Sequence, residues 1–165
     1  MNILYLHGLD SSLSPEKEKI LEKHGEIFSP AIDYREQYDS ISIITEQFRE
    51  EKISVVIGSS MGGFAGYYIA DTYQVPALLF NPALAARSVS QKIPSIPEPY
   101  LSYKYFVLGS LDDVIKPVDT LNFLGKNLQR HTNYDIQILY SLGHQIPADI
   151  FEREVRSFFQ KIRSF

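Results

Sequence analysis

A short segment near the middle of the chain has the spacing of a serine nucleophile. Gly58-Ser59-Ser60-Met61-Gly62 fits the pattern G-x-S-x-G and lies between a β-branched run and a segment of helical character. A sharp strand-to-helix turn strains the backbone and points the serine hydroxyl outward, and glycines on both sides remove Cβ atoms that would clash. The spacing predicts Ser60 as a nucleophile, with Gly58 and Gly62 supporting the turn.

The helix predicted after this serine would add electrostatic stabilisation. The first N–H groups of a helix have no intrahelical acceptor, and the N-terminus carries a partial positive charge. We therefore expect the backbone N–H of Met61 to face an oxygen that becomes negative during acyl transfer. A plain glycine-rich connection and a phosphate cradle are the alternatives. The second is disfavoured because neither a Gly-Lys-Ser/Thr sequence nor G-x-G-x-x-G spacing is found here.

A serine hydroxyl needs a base that removes its proton, and the chain has four histidines. His144 comes just after the last predicted strand, on the rim where the carboxyl ends of parallel strands meet, so we expect it to be the base. His7 ends the first strand, and we expect its ring to anchor the following loop. His24 and His131 are expected at the surface.

The acid that orients the imidazole is expected after the strand that ends near Leu108. Asp112 and Asp113 both follow that strand, and the order serine, acid, histidine along the chain is the one that an α/β sheet with this turn uses. We choose Asp112 as the acid and keep Asp113 as the alternative. The two residues could also form only a polar turn.

The wider pattern predicts the α/β class, with a mostly parallel central sheet and helices on both faces. With 165 residues the chain fits a single domain, 1–165. One irregular stretch, 85–102, contains three prolines and is either a small lid or a connector. Strands are expected at 3–6, 26–29, 53–57, 77–80, 105–108 and 136–140, and helices at 14–25, 41–52, 61–73, 117–128 and 148–162.

Composition limits the classes of partner. A net charge of −4 argues against nucleic acid, and the absence of cysteine excludes disulfides and thiolate metal ligands. No stretch approaches the ~20 apolar residues of a membrane span, and the first residues do not form a signal peptide. We therefore expect a cytoplasmic protein without metal or other cofactors. Its oligomeric state is not readable from the sequence.

Several segments together resemble the α/β-hydrolase superfamily and its compact YqiA-like (UPF0227) esterase family. The resemblance implies a compact α/β-hydrolase fold with minimal or no lid, and a triad of Ser60, Asp112 and His144. It also implies Leu9, in the tight turn that Gly8 allows, and Met61 as backbone donors of an oxyanion hole. The matching segments are Tyr5-Leu6-His7-Gly8 with Ser11-Ser12, Gly58-Ser59-Ser60-Met61-Gly62-Gly63, Asn81-Pro82-Ala83, Gly109 with Asp112, and Gly143-His144.

The resemblance implies hydrolysis of a carboxylic ester or thioester through an acyl-enzyme on Ser60, with a small or short-acyl molecule as substrate. An acyltransferase with the same triad and a non-catalytic binding protein on a hydrolase scaffold are the alternatives. Ser11 and Ser12 either line the pocket or cap their loop, and we expect the latter. Apolar residues between 83 and 103 are candidates for the pocket wall: Ile93, Ile96, Tyr100, Leu101 and Tyr103.

Overall fold

A computed structural model describes residues 1–95, 102–128 and 133–163. Over these residues strands and helices alternate along the chain, as expected of an α/β protein. The strands are β1 (Asn2–Leu6), β2 (Glu26–Phe28), β3 (Val55–Ser59), β4 (Ala77–Phe80), β5 (Lys104–Gly109) and β6 (Tyr134–Leu139). The helices are α1 (Pro15–Glu22), α2 (Ser40–Gln47), α3 (Met61–Tyr73), α4 (Pro117–Lys126) and α5 (Ala148–Ile162).

The six strands form one sheet in the order β2-β1-β3-β4-β5-β6, and every neighbouring pair is parallel. The chain leaves β1 toward β2 on one side and leaves β3 toward β4 on the other. The order therefore reverses between β1 and β3. In open parallel sheets such a reversal opens a crevice beyond the carboxyl ends of the two strands. The fold thus places a crevice beside the loop after β1 and the turn after β3.

Alternating side chains of the strands supply two cores, one on each face of the sheet. Leu4, Val56 and Phe106 belong to the core under α2, α3 and α4. The neighbouring residues in sequence, Ile3 and Val55 among them, belong to the core under α1 and α5. Both faces of the inner strands are covered, so β1, β3, β4 and β5 are near-continuous apolar runs typical of parallel sheets, whereas the edge strand β6 is largely exposed.

The element types match the sequence expectation, and most differences lie at the ends. α2 stops at Gln47 although helical spacing predicted an extension toward 52. The segment that follows, Glu50-Glu51-Lys52, is exposed and offers no apolar side chain to bury, and Lys52 has a positive φ of 46°. β3 starts two residues later than expected because its ladder to β1 begins with the pair Ile3 and Val55.

The irregular stretch predicted at 85–102 has no helix or strand in the part described, 85–95 and residue 102. Residues 96–101 lie outside the described residues, so the choice between lid and connector stays a prediction. Among the described residues, no helix is both long enough and apolar enough to cross a membrane.

Candidate active site

Ser60 occupies the turn between β3 and α3 in a backbone conformation that non-glycine residues rarely adopt, with φ 54° and ψ −115°. Three backbone hydrogen bonds hold it there. The Ser60 N–H donates to the carbonyl of Phe80 at 3.0 Å, and the Ser60 carbonyl accepts from Phe64 at 2.9 Å and from Ala83 at 3.1 Å. Its hydroxyl makes no capping bond to α3, which leaves it available to the adjacent cavity.

Two glycines allow this turn because backbone segments approach closely there. A Cβ on Gly58 would lie 2.3 Å from the carbonyl oxygen of Gly62, and a Cβ on Gly62 would lie 2.0 Å from that of Leu6. Both distances are well inside van der Waals contact, so no larger residue fits without moving backbone. The glycines of the motif therefore let α3 begin directly against the end of β1.

His144 is paired with a buried carboxylate. Its Nδ1 lies 2.9 Å from Oδ2 of Asp112, whose side chain is fully buried. The other carboxylate oxygen accepts from the backbone N–H groups of Val114 at 2.9 Å and Ile115 at 2.8 Å. A carboxylate accepts hydrogen bonds, so Nδ1 carries a proton, and in the neutral ring Nε2 is then the nitrogen with a free lone pair. Asp113, the alternative acid, is exposed and makes no such contact with the ring.

Ser60 and His144 line the same cavity, whose volume is about 720 Å³. Gly8, Leu9 and Met61 line it as well, so the loop after β1 and the first turn of α3 meet at the predicted crevice. Among the described residues, the N–H groups of Leu9 and Met61 have no protein acceptor. These two N–H groups are therefore free to bind an oxygen atom of a bound molecule.

A comparison with family models identifies the family of the chain. The model of the family described as "Uncharacterised protein family (UPF0227)" matches residues 2–122, which is most of the chain. The chain belongs to the UPF0227 family. No curated protein sequence matches it.

Solved structures similar to this UPF0227 chain include α/β hydrolases. SOBER1 from Arabidopsis thaliana has a TM-score of 0.73 at 13% identity, and the match covers 98% of each chain. Est1E from Butyrivibrio proteoclasticus has a TM-score of 0.74 at 11% identity, covering 99% of this chain and 88% of that one. Mouse alpha/beta hydrolase domain-containing protein 10 has a TM-score of 0.70 at 12% identity, with coverages of 98% and 90%. At these identities the likeness shows that the chain has the α/β-hydrolase fold.

Asn81 has a structural role that sequence reasoning did not assign. In this UPF0227 chain its buried amide links the ends of two strands: Nδ2 donates to the carbonyls of Gly143, at 2.9 Å, and His144, at 3.3 Å. Its Oδ1 accepts from the N–H of Gly109 at 2.7 Å. The loops that carry Asp112 and His144 are thereby held together by one side chain. The sequence marked the Asn81-Pro82-Ala83 segment only as a family resemblance.

The ring of His7 makes hydrogen bonds to the backbone near its loop. Its Nε2 accepts from the N–H of Ile32 at 3.0 Å, and its Nδ1 donates to the carbonyl of Gly8 at 2.7 Å. Both ring nitrogens are therefore engaged by backbone groups. The hydroxyl of Tyr34 donates to the carbonyl of His7 at 3.1 Å, which further fixes the turn beside Ser60.

The remaining cavity wall differs from the expectation. Ser11 and Ser12, expected only to cap their loop, line the cavity. Of the apolar candidates, Ile93 and Tyr103 do not line it, and Tyr103 is buried in the core under α1 and α5. The other three candidates, Ile96, Tyr100 and Leu101, lie outside the described residues. Further lining residues are Tyr5, Asp10, Ser14, Lys17, Ser59, Ala83, Ala86, Arg87, Ser88, Val114, Ile115, Gln145 and Ile146.

His24 is not the simple surface residue that the sequence predicted. Its ring stacks on Phe159 of α5 with centroids 4.2 Å apart and planes 4° from parallel, and its Nδ1 is buried. The stacking follows from the packing of α1 on α5, which a single-sequence pattern does not reveal. His131 lies outside the described residues.

Proposed function

We propose that this chain is a serine hydrolase that cleaves carboxylic ester or thioester bonds through an acyl-enzyme on Ser60. The observation that carries the proposal is the strained turn of Ser60, which opens into a cavity shared with His144, whose ring is hydrogen-bonded to the buried Asp112. Unfavourable backbone conformations of this kind persist where neighbours enforce them, and they are concentrated at functional sites.

In the first half of the proposed reaction, Nε2 of His144 takes the proton of the Ser60 hydroxyl as its oxygen attacks the acyl carbonyl. Asp112 holds the ring in the required tautomer and stabilises the imidazolium that forms. The N–H groups of Leu9 and Met61 donate to the oxyanion, and the N-terminus of α3 adds its partial positive charge. His144 then gives the proton to the leaving alcohol or thiol, which completes the acyl-enzyme.

In the second half, water takes the place of the leaving group. His144 removes a proton from this water as its oxygen attacks the acyl-enzyme carbonyl, and the same two N–H groups hold the second oxyanion. The Ser60 oxygen leaves with the proton that His144 returns. The products are a carboxylic acid and the regenerated hydroxyl. The same residues would catalyse acyl transfer if an alcohol or thiol replaced this water, so product analysis with added acceptors separates the two activities.

The decisive experiment is covalent labelling with a fluorophosphonate probe, followed by mass spectrometry of the labelled peptide. We expect the label on Ser60 in wild type and none in Ser60→Ala, with hydrolysis of p-nitrophenyl butyrate reduced to background in that variant. Ser59→Ala is the matched control because it removes the neighbouring hydroxyl of the same turn, and it should keep the label on Ser60. Labelling that is absent from folded wild type, or that persists in Ser60→Ala, would contradict the proposal and favour a non-catalytic binding protein.

A further inference from the structure

Two cationic side chains reach the cavity from opposite faces of the sheet. Lys17 of α1 lies over the ring of Phe151 of α5, with Nζ 5.3 Å from the ring centroid. Arg87, in the segment after β4, lies over the ring of Phe64 of α3 at 4.1 Å. Phe151 and Phe64 belong to the two different cores. The cavity that contains Ser60 is therefore flanked by one positive charge on each side.

Neither cation is neutralised by a carboxylate of residues 1–95, 102–128 or 133–163. Among the described residues, no carboxylate lies within ion-pair distance of the Lys17 ammonium or the Arg87 guanidinium. Asp10, which supplies the one carboxylate that lines the cavity in the described part of the chain, is itself paired with Arg35 at 2.6 Å. Partial burial lowers the pKa of Lys17, and the adjacent Glu16 only partly opposes this. A cation that loses water without gaining a counter-ion is stabilised by any anion that binds beside it.

The guanidinium of Arg87 is also held in place before any molecule binds. Its Nη1 donates to the carbonyl of Leu84 at 2.8 Å, with a second, longer contact to that of Ala83 at 3.4 Å. Its Nε is buried and has no acceptor among the described residues. A fixed guanidinium loses little side-chain entropy on binding an anion, because its fork of donors already has a defined orientation.

We propose that the cavity selects esters or thioesters that carry a negatively charged group, such as a carboxylate, which Lys17 and Arg87 bind. This inference rests on the proposed hydrolase function and adds a substrate class to it. The whole chain has a net charge of −4, so long-range attraction does not favour anions, and selectivity must come from these two local charges. The cations reach the cavity from opposite faces of the sheet, so one of them would be close to the acyl part of the substrate and the other close to the leaving group.

The test compares charged and neutral esters of the same skeleton. In the acyl arm, the p-nitrophenyl half ester of glutaric acid is compared with its methyl-capped diester. In the leaving-group arm, 3-carboxy-4-nitrophenyl butyrate is compared with its methyl ester. We expect wild type to favour the charged ester in at least one arm by about tenfold in kcat/KM, as a partly exposed charge-assisted hydrogen bond allows. Added salt should reduce this preference.

Variants identify the cation that binds the charge. Lys17→Met and Arg87→Met each keep much of the apolar stem and remove the charge. The variant that lacks the substrate-binding cation should have nearly equal kcat/KM values for the charged and the neutral ester. Lys19→Met is the matched control because this lysine is exposed on the same helix and does not line the cavity. It should leave the ratio of these two kcat/KM values unchanged.

Two results would overturn the substrate class: a wild type that favours the neutral ester in both arms, or a preference that survives in the Lys17→Met/Arg87→Met double variant. Either result would leave the proposed hydrolase intact if Ser60→Ala still abolished cleavage of the neutral esters. Failure of the proposed hydrolase function would instead be seen as a Ser60 that the fluorophosphonate probe does not label.

Discussion

At the scale of single residues, the contact between Asp112 and His144 distinguishes two adjacent carboxylates. We predict that Asp112→Asn lowers kcat for a p-nitrophenyl ester by about 10²- to 10⁴-fold, because an amide in place of the carboxylate no longer fixes the proton on Nδ1 or stabilises the imidazolium. Steady-state kinetics at pH 7.5 measures the loss. The variant should remain folded by circular dichroism, since Asn keeps the size of the side chain.

Asp113→Asn is the matched control, because this exposed residue is next in sequence and has no contact with the ring. Its kcat should stay within about twofold of wild type, as surface substitutions away from a site usually have small effects. A larger loss in Asp113→Asn than in Asp112→Asn would contradict the assignment of the acid.

The residues of the site differ in how far the sequence predicts them. Ser60 lies in a motif whose local geometry dictates its own conformation, so one short segment suffices. Asp112 could not be separated from Asp113, because the side chain that faces the imidazole depends on the turn between β5 and α4. Asn81 donates to carbonyl groups that are distant in sequence, and Arg87 donates to carbonyl groups of an irregular segment. No local sequence pattern marks either kind of contact.

At the scale of elements, the site depends on α3 starting directly against the end of β1. We predict that Gly62→Ala strongly destabilises the protein or removes its activity, because the added Cβ would lie 2.0 Å from the carbonyl oxygen of Leu6 and the backbone must move. Urea denaturation and esterase assays measure the two effects. A Gly62→Ala variant that is active and as stable as wild type would show that α3 packs less closely against the end of β1 than this distance indicates.

Gly125→Ala, in α4, is the matched control for that substitution. A Cβ at this position meets nothing within 4 Å, and alanine is the better helix former. We therefore expect this variant to keep its activity and to gain up to about 1 kcal/mol of stability.

The contact between α1 and α5 makes stability depend on pH. Burial against Phe159 lowers the pKa of His24, and the nearby charges of Arg163, Lys23 and Arg156 lower it further, whereas Glu152 opposes them. A lowered pKa in the folded state means that the unfolded chain binds the proton more readily. The contribution of His24 to stability is therefore complete above the unfolded pKa of about 6.5 and is lost as the pH falls below it.

We predict that the urea midpoint of wild type falls more between pH 7.5 and pH 5.5 than that of His24→Phe, which keeps a stacked ring but has no titratable group. Carboxylates with ordinary pKa values of about 4 stay ionised throughout this range, so their ion pairs contribute little to the difference. Equal losses in the two proteins would show that His24 does not titrate differently in the folded state.

The elements themselves are the best-predicted part of the molecule. The bounds of α3, β4 and α5 agree with the sequence because glycine, proline or a buried apolar run marks their ends. The end of α2, at Gln47, differs from the sequence prediction. The start of β3 could not be predicted, since the register of β3 with β1 decides which residues enter the ladder. Strand order likewise depends on pairing between segments that are distant in sequence.

At the scale of the whole molecule, different groups of polar residues lie at the two ends of the sheet. The carboxyl end carries the candidate active site. Near the amino end, Lys104, the first residue of β5, forms a buried ion pair with Asp71 of α3, with Nζ and Oδ1 2.5 Å apart. The ammonium also donates to the Ser102 hydroxyl at 2.8 Å and lies 4.9 Å from the centroid of the Tyr67 ring. This cluster joins α3 to β5 far along the helix from Ser60.

Stability and activity should therefore respond separately to substitutions at this cluster. Lys104→Met breaks the buried ion pair by removing one member of it, which costs about 3–5 kcal/mol of unfolding free energy. We expect kcat/KM at 20 °C to stay close to the wild-type value in the fraction that is folded, because no residue of the cluster lines the cavity. Lys126→Met, which removes an exposed lysine at the end of α4, should change stability by less than about 0.5 kcal/mol.

The double variant Lys104→Met/Asp71→Leu separates loss of the ion pair from the cost of burying the charge of Asp71 after Lys104 is removed. Replacing both members by apolar residues removes the cost of burying charge, so this variant should regain most of the stability that Lys104→Met loses. Urea denaturation of the wild type, both single variants and the double variant gives the coupling energy between the two positions. A double variant no more stable than Lys104→Met would show that the ion pair, with its hydrogen bond to Ser102, stabilises the fold beyond what apolar packing at the same positions provides.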